Sequence, residues 1–199
     1  MRRWKCAPMI LALLLALSAC GGGAEGSQAE QLALEFRGKY LSLTGCTALA
    51  EITADYGQRV YQYGAEITWQ EGGAAVLTLT SPQEVAGMTA RLEEGQTALE
   101  YDGARVETGP LDTQGLSPLE AVPLLMETLR EGFLAECVLE ELDGAETLRL
   151  TSRDPEQSPG SGREIQLWLD AGTGALLRGE ISWEGYTVVQ CVFSSFTGT

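Results

Sequence analysis

The residue with the most definite chemistry is Cys20, which closes the tetrapeptide Leu17-Ser18-Ala19-Cys20 behind Arg2, Arg3, Lys5 and the apolar run Met9–Leu17. A basic start, a short apolar core and a small-residue cleavage site form a secretory signal, and the core is too short to span a bilayer. A cysteine directly after the small residues fits a bacterial lipobox, in which the thiol is acylated and becomes the new N-terminus once the leader is cut. Two or more acyl chains, at ~0.8 kcal/mol per buried CH₂, hold a protein to a membrane almost permanently. The expected layout is a signal peptide over 1–19, a lipidated tether over 20–26 and one domain over 27–199, placed on the extracytoplasmic face of the cell membrane.

Other reactive groups are scarce. The chain has no His, and Lys39 is its one Lys beyond the leader, so the commonest general bases and nucleophile relays are missing and an enzyme is not expected. Glu51 and Asp55 are the nearest approach to a carboxylate pair, and a solvated strand edge accounts for them. No CxxC spacing occurs, and without His a zinc site lacks its usual ligands, so no metal or cofactor is expected. Cys46, Cys137 and Cys191 remain after the leader and the lipidated residue are set aside. One disulfide with a spare thiol and three buried thiols are both open, with Cys46 and Cys191 the favoured pair if the first and last strands are neighbours.

Charge narrows the partners. The chain carries 13 basic and 28 acidic residues, a net of −15. Three of the basic residues lie in the leader, leaving ten against 28 and a net of −18 for the mature part. Such a body is repelled by nucleic acid and by anionic headgroups, so any membrane attachment falls to the lipid.

The elements that must position these groups follow from hydrophobic period. Gly21–Gly26 reads as a flexible tether, and Ser27-Gln28-Ala29-Glu30 as a capping box opening a helix to about Leu43. From Cys46 onward the period is two. Apolar residues alternate along 47–56, 59–69 and 75–81, then along shorter runs at 88–92, 97–101 and 104–107, with Asp102-Gly103 a hairpin turn. Ser117-Pro118-Leu119-Glu120 supplies a second capping box, for a helix with the stripe Val122, Leu125, Met126, Leu129; Pro123 should cost it a backbone bond. Alternation resumes at 136–142, 147–153, 164–170, 176–183 and 187–196. The fold class is therefore α+β: a curved antiparallel β-sheet of about 10–11 strands covered by two helices.

So many strands present an apolar face wider than two ~10 Å helices can cover. Either the sheet curls on itself or it encloses a cavity for an apolar ligand. Tyr61, Tyr63, Trp69, Leu77, Leu79, Leu99, Tyr101, Leu167, Leu169, Ile181 and Trp183 are expected to face inward, either lining that cavity or filling a core.

The segments Tyr40–Cys46, Ala54–Tyr61, Ser81-Pro82 with Val85-Ala86-Gly87, Leu99–Gly103 and Gly115–Pro118, in this order, resemble the LolA/LolB-like lipoprotein-carrier superfamily. They are closest in look to germination lipoproteins of the GerS kind from spore-forming bacteria. The resemblance implies a β half-barrel closed by helices, holding acyl chains in the carrier members and serving as a partner of a cell-wall amidase in the germination lipoproteins. The expected function is a membrane-anchored binding protein for a lipid, a lipidated ligand or an envelope protein, with the amidase co-factor as the alternative.

Overall fold

The computed structural model describes residues 23–93, 95–109, 111 and 116–199, so the leader and Cys20 lie outside the described residues. Two helices and eleven strands follow in chain order: α1 (Gly23–Ser42), β1 (Gly45–Asp55), β2 (Val60–Gln70), β3 (Ala75–Ser81), β4 (Thr89–Glu93), β5 (Gln96–Tyr101), β6 (Ala104–Glu107), α2 (Ala121–Glu131), β7 (Leu134–Leu142), β8 (Ala145–Arg153), β9 (Arg163–Asp170), β10 (Leu176–Trp183) and β11 (Tyr186–Gly198). The strands form one antiparallel sheet in the order β6-β5-β4-β3-β2-β1-β11-β10-β9-β8-β7. Two meanders thus meet at the first and last strands, and the α+β half-barrel class read from the sequence is the architecture observed.

The turns explain the register. Asp102-Gly103, Asp143-Gly144 and Glu184-Gly185 each hold positive φ at both positions, 49° and 78° in the first, the geometry of the two-residue turn that suits the twist of a hairpin. Period-two burial then follows along β1, where Ala48, Ala50, Ile52 and Ala54 are buried and Thr47, Leu49 and Glu51 are exposed.

The helices pack on the concave face. Ala29, Ala33, Phe36 and Tyr40 of α1 and Val122, Leu125, Met126 and Leu129 of α2 bury against Leu148, Leu150, Leu167, Leu169, Ile181 and Val189 of the sheet. Each helix also satisfies the other's C-terminal carbonyls through an arginine. Arg37 donates from Nε to the Leu129 carbonyl at 3.2 Å and from Nη2 to that of Gly132 at 2.5 Å; Arg130 donates from Nη1 to those of Tyr40 at 2.7 Å and Leu43 at 3.0 Å. These carbonyls lie at or just past the helix ends, where partners within the helix run out, and a cation there also complements the helix dipole.

Three local expectations are corrected. Helix α1 begins at Gly23, within the stretch read as a flexible tether, so Ser27 lies inside the helix rather than at its start; the ~1 kcal/mol a glycine costs does not stop a helix whose next turns are buried. Glu120 occupies the cap position of α2 without capping it, because its carboxylate instead accepts hydrogen bonds from Thr97 Oγ1 (3.3 Å) and the Leu111 N–H (3.0 Å). Pro123 therefore falls in the first turn of α2, where the missing N–H has no helical acceptor to lose.

The Cys46–Cys191 disulfide is also corrected. Strands β1 and β11 are neighbours as expected, but Cys46 lies opposite Gly198 and Cys191 opposite Ile52. Six residues of strand, about 20 Å, separate the two, against the ~4.4–6.8 Å between Cα atoms that a disulfide spans. Cys46, Cys137 and Cys191 are free thiols. Burial pushes the Cys46 thiol up to about 11 and that of Cys191 up to about 12.

Candidate functional site: an apolar groove at one end of the sheet

The helices do not reach across the whole sheet. Helix α1 packs mainly on β7 and β8 and α2 on β9 and β11, with Arg130 of α2 over the Trp69 ring near the end of β2; where β2 begins and β3 ends, loop residues face the sheet instead. There an open groove of about 570 Å³ forms between Tyr63 of β2 and Leu79 of β3 on one side and Leu111, Leu116, Ser117, Pro118 and Leu119, just ahead of α2, on the other. Val85 and Met88, between β3 and β4, and Tyr56 at the tip of β1 complete the lining.

Sequence dictates this locally. Period two points Tyr63 and Leu79 to the concave side, and Tyr56 Oη donates to the Leu116 carbonyl at 3.1 Å, tying the loop to the β1–β2 hairpin. Tyr61 and Tyr63 stack at 6.4 Å between ring centroids with planes 7° apart, and Tyr56 meets Tyr61 edge-on at 6.2 Å. Desolvation, with Tyr61 nearby, raises the Tyr63 phenol above its ordinary value. The groove thus has apolar walls, an aromatic rim and a few hydroxyls, a chemistry suited to hydrocarbon. Its volume lies within the ~300–1,000 Å³ of small-molecule sites. A methylene takes up about as much room as a liquid water, ~30 Å³, so the space matches roughly one acyl chain.

The eleven residues expected to face inward divide four ways. Tyr63 and Leu79 line the groove. Leu77, Leu167, Leu169 and Ile181 are buried in the filled core, and Leu99 packs partly buried against it. Trp69 is buried in the core as well, and Trp69 and Trp183 each border a separate, more polar cleft: Trp69 beside Glu71, Glu93, Glu127 and Arg130, and Trp183 beside Arg153, Asp154 and Arg163. Tyr61 and Tyr101 are 37% and 46% exposed, since each lies near a strand end that neither helix covers. Most of the actual lining comes from loop residues outside the period-two runs, with Met88, which the alternation put at the head of the 88–92 strand, just ahead of β4. The one sequence signal of the others is apolar character inside turn segments, as in Val85.

The carboxylate pair also has a structural place. Asp55 Oδ1 accepts the Gly57 N–H at 2.7 Å in the β1–β2 turn, and Glu51 is exposed on the outer face. Among the described residues no group of three or more His, Cys, Asp or Glu could hold a metal ion, and no helix is long and apolar enough to cross a membrane.

No protein-family model and no curated protein matches this chain. Solved structures similar to this chain lie at low sequence identity. A LolA superfamily protein from Nitrosomonas europaea is similar at 9% identity and a TM-score of 0.42, covering 85% of this chain and 92% of that one. The Mycobacterium tuberculosis lipoprotein LppX is similar at 17% identity and 0.46, over 84% and 92%. The complex of the CwlD amidase with the GerS lipoprotein from Clostridioides difficile is similar at 14% identity and 0.42, over 84% and 94%.

Proposed function

We propose that this chain is an extracytoplasmic lipoprotein, anchored through Cys20 after removal of residues 1–19, that binds an apolar ligand of acyl-chain size and performs no catalysis. The observation that carries this reading is the groove: apolar walls over β2 and β3, open to solvent, in a sheet whose other half is filled by helices. Loading a fluorescent C16 fatty acid onto the Cys20→Ser protein tests it. Saturable binding is expected, weakened at least tenfold by Met88→Glu, because an unpaired carboxylate on the groove wall is costly to desolvate. Equal binding by both proteins would overturn the assignment of the ligand to this groove.

A second reading, protein co-factor of a cell-wall amidase, draws on the cleft of about 670 Å³ at the other end of the sheet. Glu71, Glu93, Glu127 and Glu131 surround Trp69 and Leu124 there. In that case Glu93→Lys with Glu127→Lys would abolish co-purification of a basic envelope partner, and Met88→Glu would leave it intact.

A further inference from the structure

Edge strand β6 breaks off two rows of side chains that continue across the sheet. On the concave side the register links Phe196, Ala48, Ile67, Leu77, Ala90, Leu99 and finally Val106. The row ends at Val106, which is 58% exposed. On the other side Glu100 lies opposite Arg105, and its Oε1 accepts from Arg105 Nη1 at 2.7 Å while its Oε2 accepts from Arg91 Nε at 3.0 Å. Glu107 is two residues beyond Arg105 on the same side and is exposed, so this charged row also stops at the edge.

Among the described residues no strand pairs with the outer side of β6. Thr108 N–H donates to the Thr97 carbonyl at 2.9 Å, which fixes the phase of the ladder: Val106 exchanges its bonds with Leu99, and the N–H and C=O of Arg105 and Glu107 point away from β5. The opposite edge, β7, is packed by α1.

We infer that β6 pairs antiparallel with β6 of a second copy of this chain about a two-fold axis through Val106. This rests on the edge alone and is independent of what the groove holds. The axis places Arg105 opposite Glu107 of the second copy, twice, and the free backbone groups of these residues fall in exchanging positions. The charged row becomes Glu100–Arg105–Glu107 across the axis, and the apolar row runs on through the second Val106. Charges on an edge strand usually exclude other strands. Here the pattern Arg-x-Glu is complementary to its own antiparallel image and opposes like charge on most others, so it selects a second copy.

So short a strand buries less than the ~1,200 Å² of a stable complex, so pairing is weak in dilute solution and needs a high local concentration. The test is therefore run on the full-length chain in bacterial membranes and in concentrated solution. Across the axis the Val106 Cα atoms fall ~4.5 Å apart, as in a non-bonded pair, within disulfide reach. Val106→Cys should cross-link to a dimer under mild oxidation at least tenfold faster than Val60→Cys, a comparably exposed position at 56%. Adding Glu107→Arg, or Arg105→Glu, to Val106→Cys should each remove that advantage. Mixing these two monomeric variants should restore it as a heterodimer, which rules out misfolding as the cause. Equal rates for Val106→Cys and Val60→Cys, indifference to charge reversal, or failure of the mixture to recover would each overturn the inference.

Discussion

Gly179, in the middle of β10, decides whether α2 sits where the groove needs it. It lies opposite Leu167 and Cys191, and a Cβ built on it would run into Leu125 Cδ1 and meet Cδ2 at 2.9 Å and Cγ at 3.1 Å. Carbon atoms prefer ~3.5–4.0 Å. Leu125 is fully buried, so it has no free space to swing into. Gly179→Ala must then lift α2 or drive Leu125 off its rotamer, an overpacking cost of about 1–3 kcal/mol. Leu125→Ala alone leaves a cavity and costs about 2–5 kcal/mol. In the double variant the methyl introduced at position 179 occupies part of that cavity, so its loss should fall short of the sum by ~0.5–3 kcal/mol. Urea unfolding of the four proteins measures this directly, provided the slope of stability against urea is unchanged. Additivity within ~0.5 kcal/mol would refute the seating of Leu125 on Gly179 and, with it, the position of the loop that roofs the groove.

Three further outcomes are expected. Glu140 accepts the Trp168 indole N–H at 2.7 Å and the Arg149 Nε–H at 3.1 Å; burial opposes its charge, but these bonds outweigh it and hold the carboxyl below its ordinary value. A depressed carboxyl contributes stability above its unfolded pKa that is lost as pH falls through the folded one, so Glu140→Gln should lower stability at pH 7 by ~1 kcal/mol, after allowing for its exposure, and flatten the acid limb of a stability–pH curve. Thiol counting under oxidising, non-reducing conditions should find Cys46, Cys137 and Cys191 all reduced, with half-buried Cys137 alkylated well before the other two; a Cys46–Cys191 cross-link by mass spectrometry would contradict the β1–β11 register. Cys20→Ser should release the protein from membranes into the soluble fraction, and attachment that survives a salt wash would count against acylation at that residue.

Strands and turns were legible because they are local. Alternation in β1 and β2 and the Asp-Gly and Glu-Gly pairs carry their own geometry, so the sheet and its hairpins follow from short windows. The Cys46–Cys191 pairing failed because adjacency of two strands says nothing about register, and a six-residue offset is invisible in composition. Parity placed Trp69 in the core correctly, but it also assigned Trp183 and Tyr101 to an inner lining, whereas their surroundings depend on where α1 and α2 end. Glu120 looked like part of a capping box because of its position relative to Ser117, but two long-range hydrogen bonds claim its carboxylate.

The groove's position also separates binding from folding. Both helices rest on the half of the sheet that runs from β11 to β7, and the largest fully buried side chains, among them Phe36, Leu125, Met126, Leu148 and Leu167, belong mostly to that half. Val85, Met88 and Leu116 are only half-buried, in loops over β2 and β3 at the margin of the core. Met88→Glu should therefore shift the urea midpoint less than Leu167→Ala while weakening fatty-acid binding, whereas Leu167→Ala should cost about 2–5 kcal/mol and leave the affinity of the folded fraction intact. If both variants lost binding in proportion to stability, the groove would be an incidental gap in the core, and the ligand would have to be sought elsewhere on the molecule.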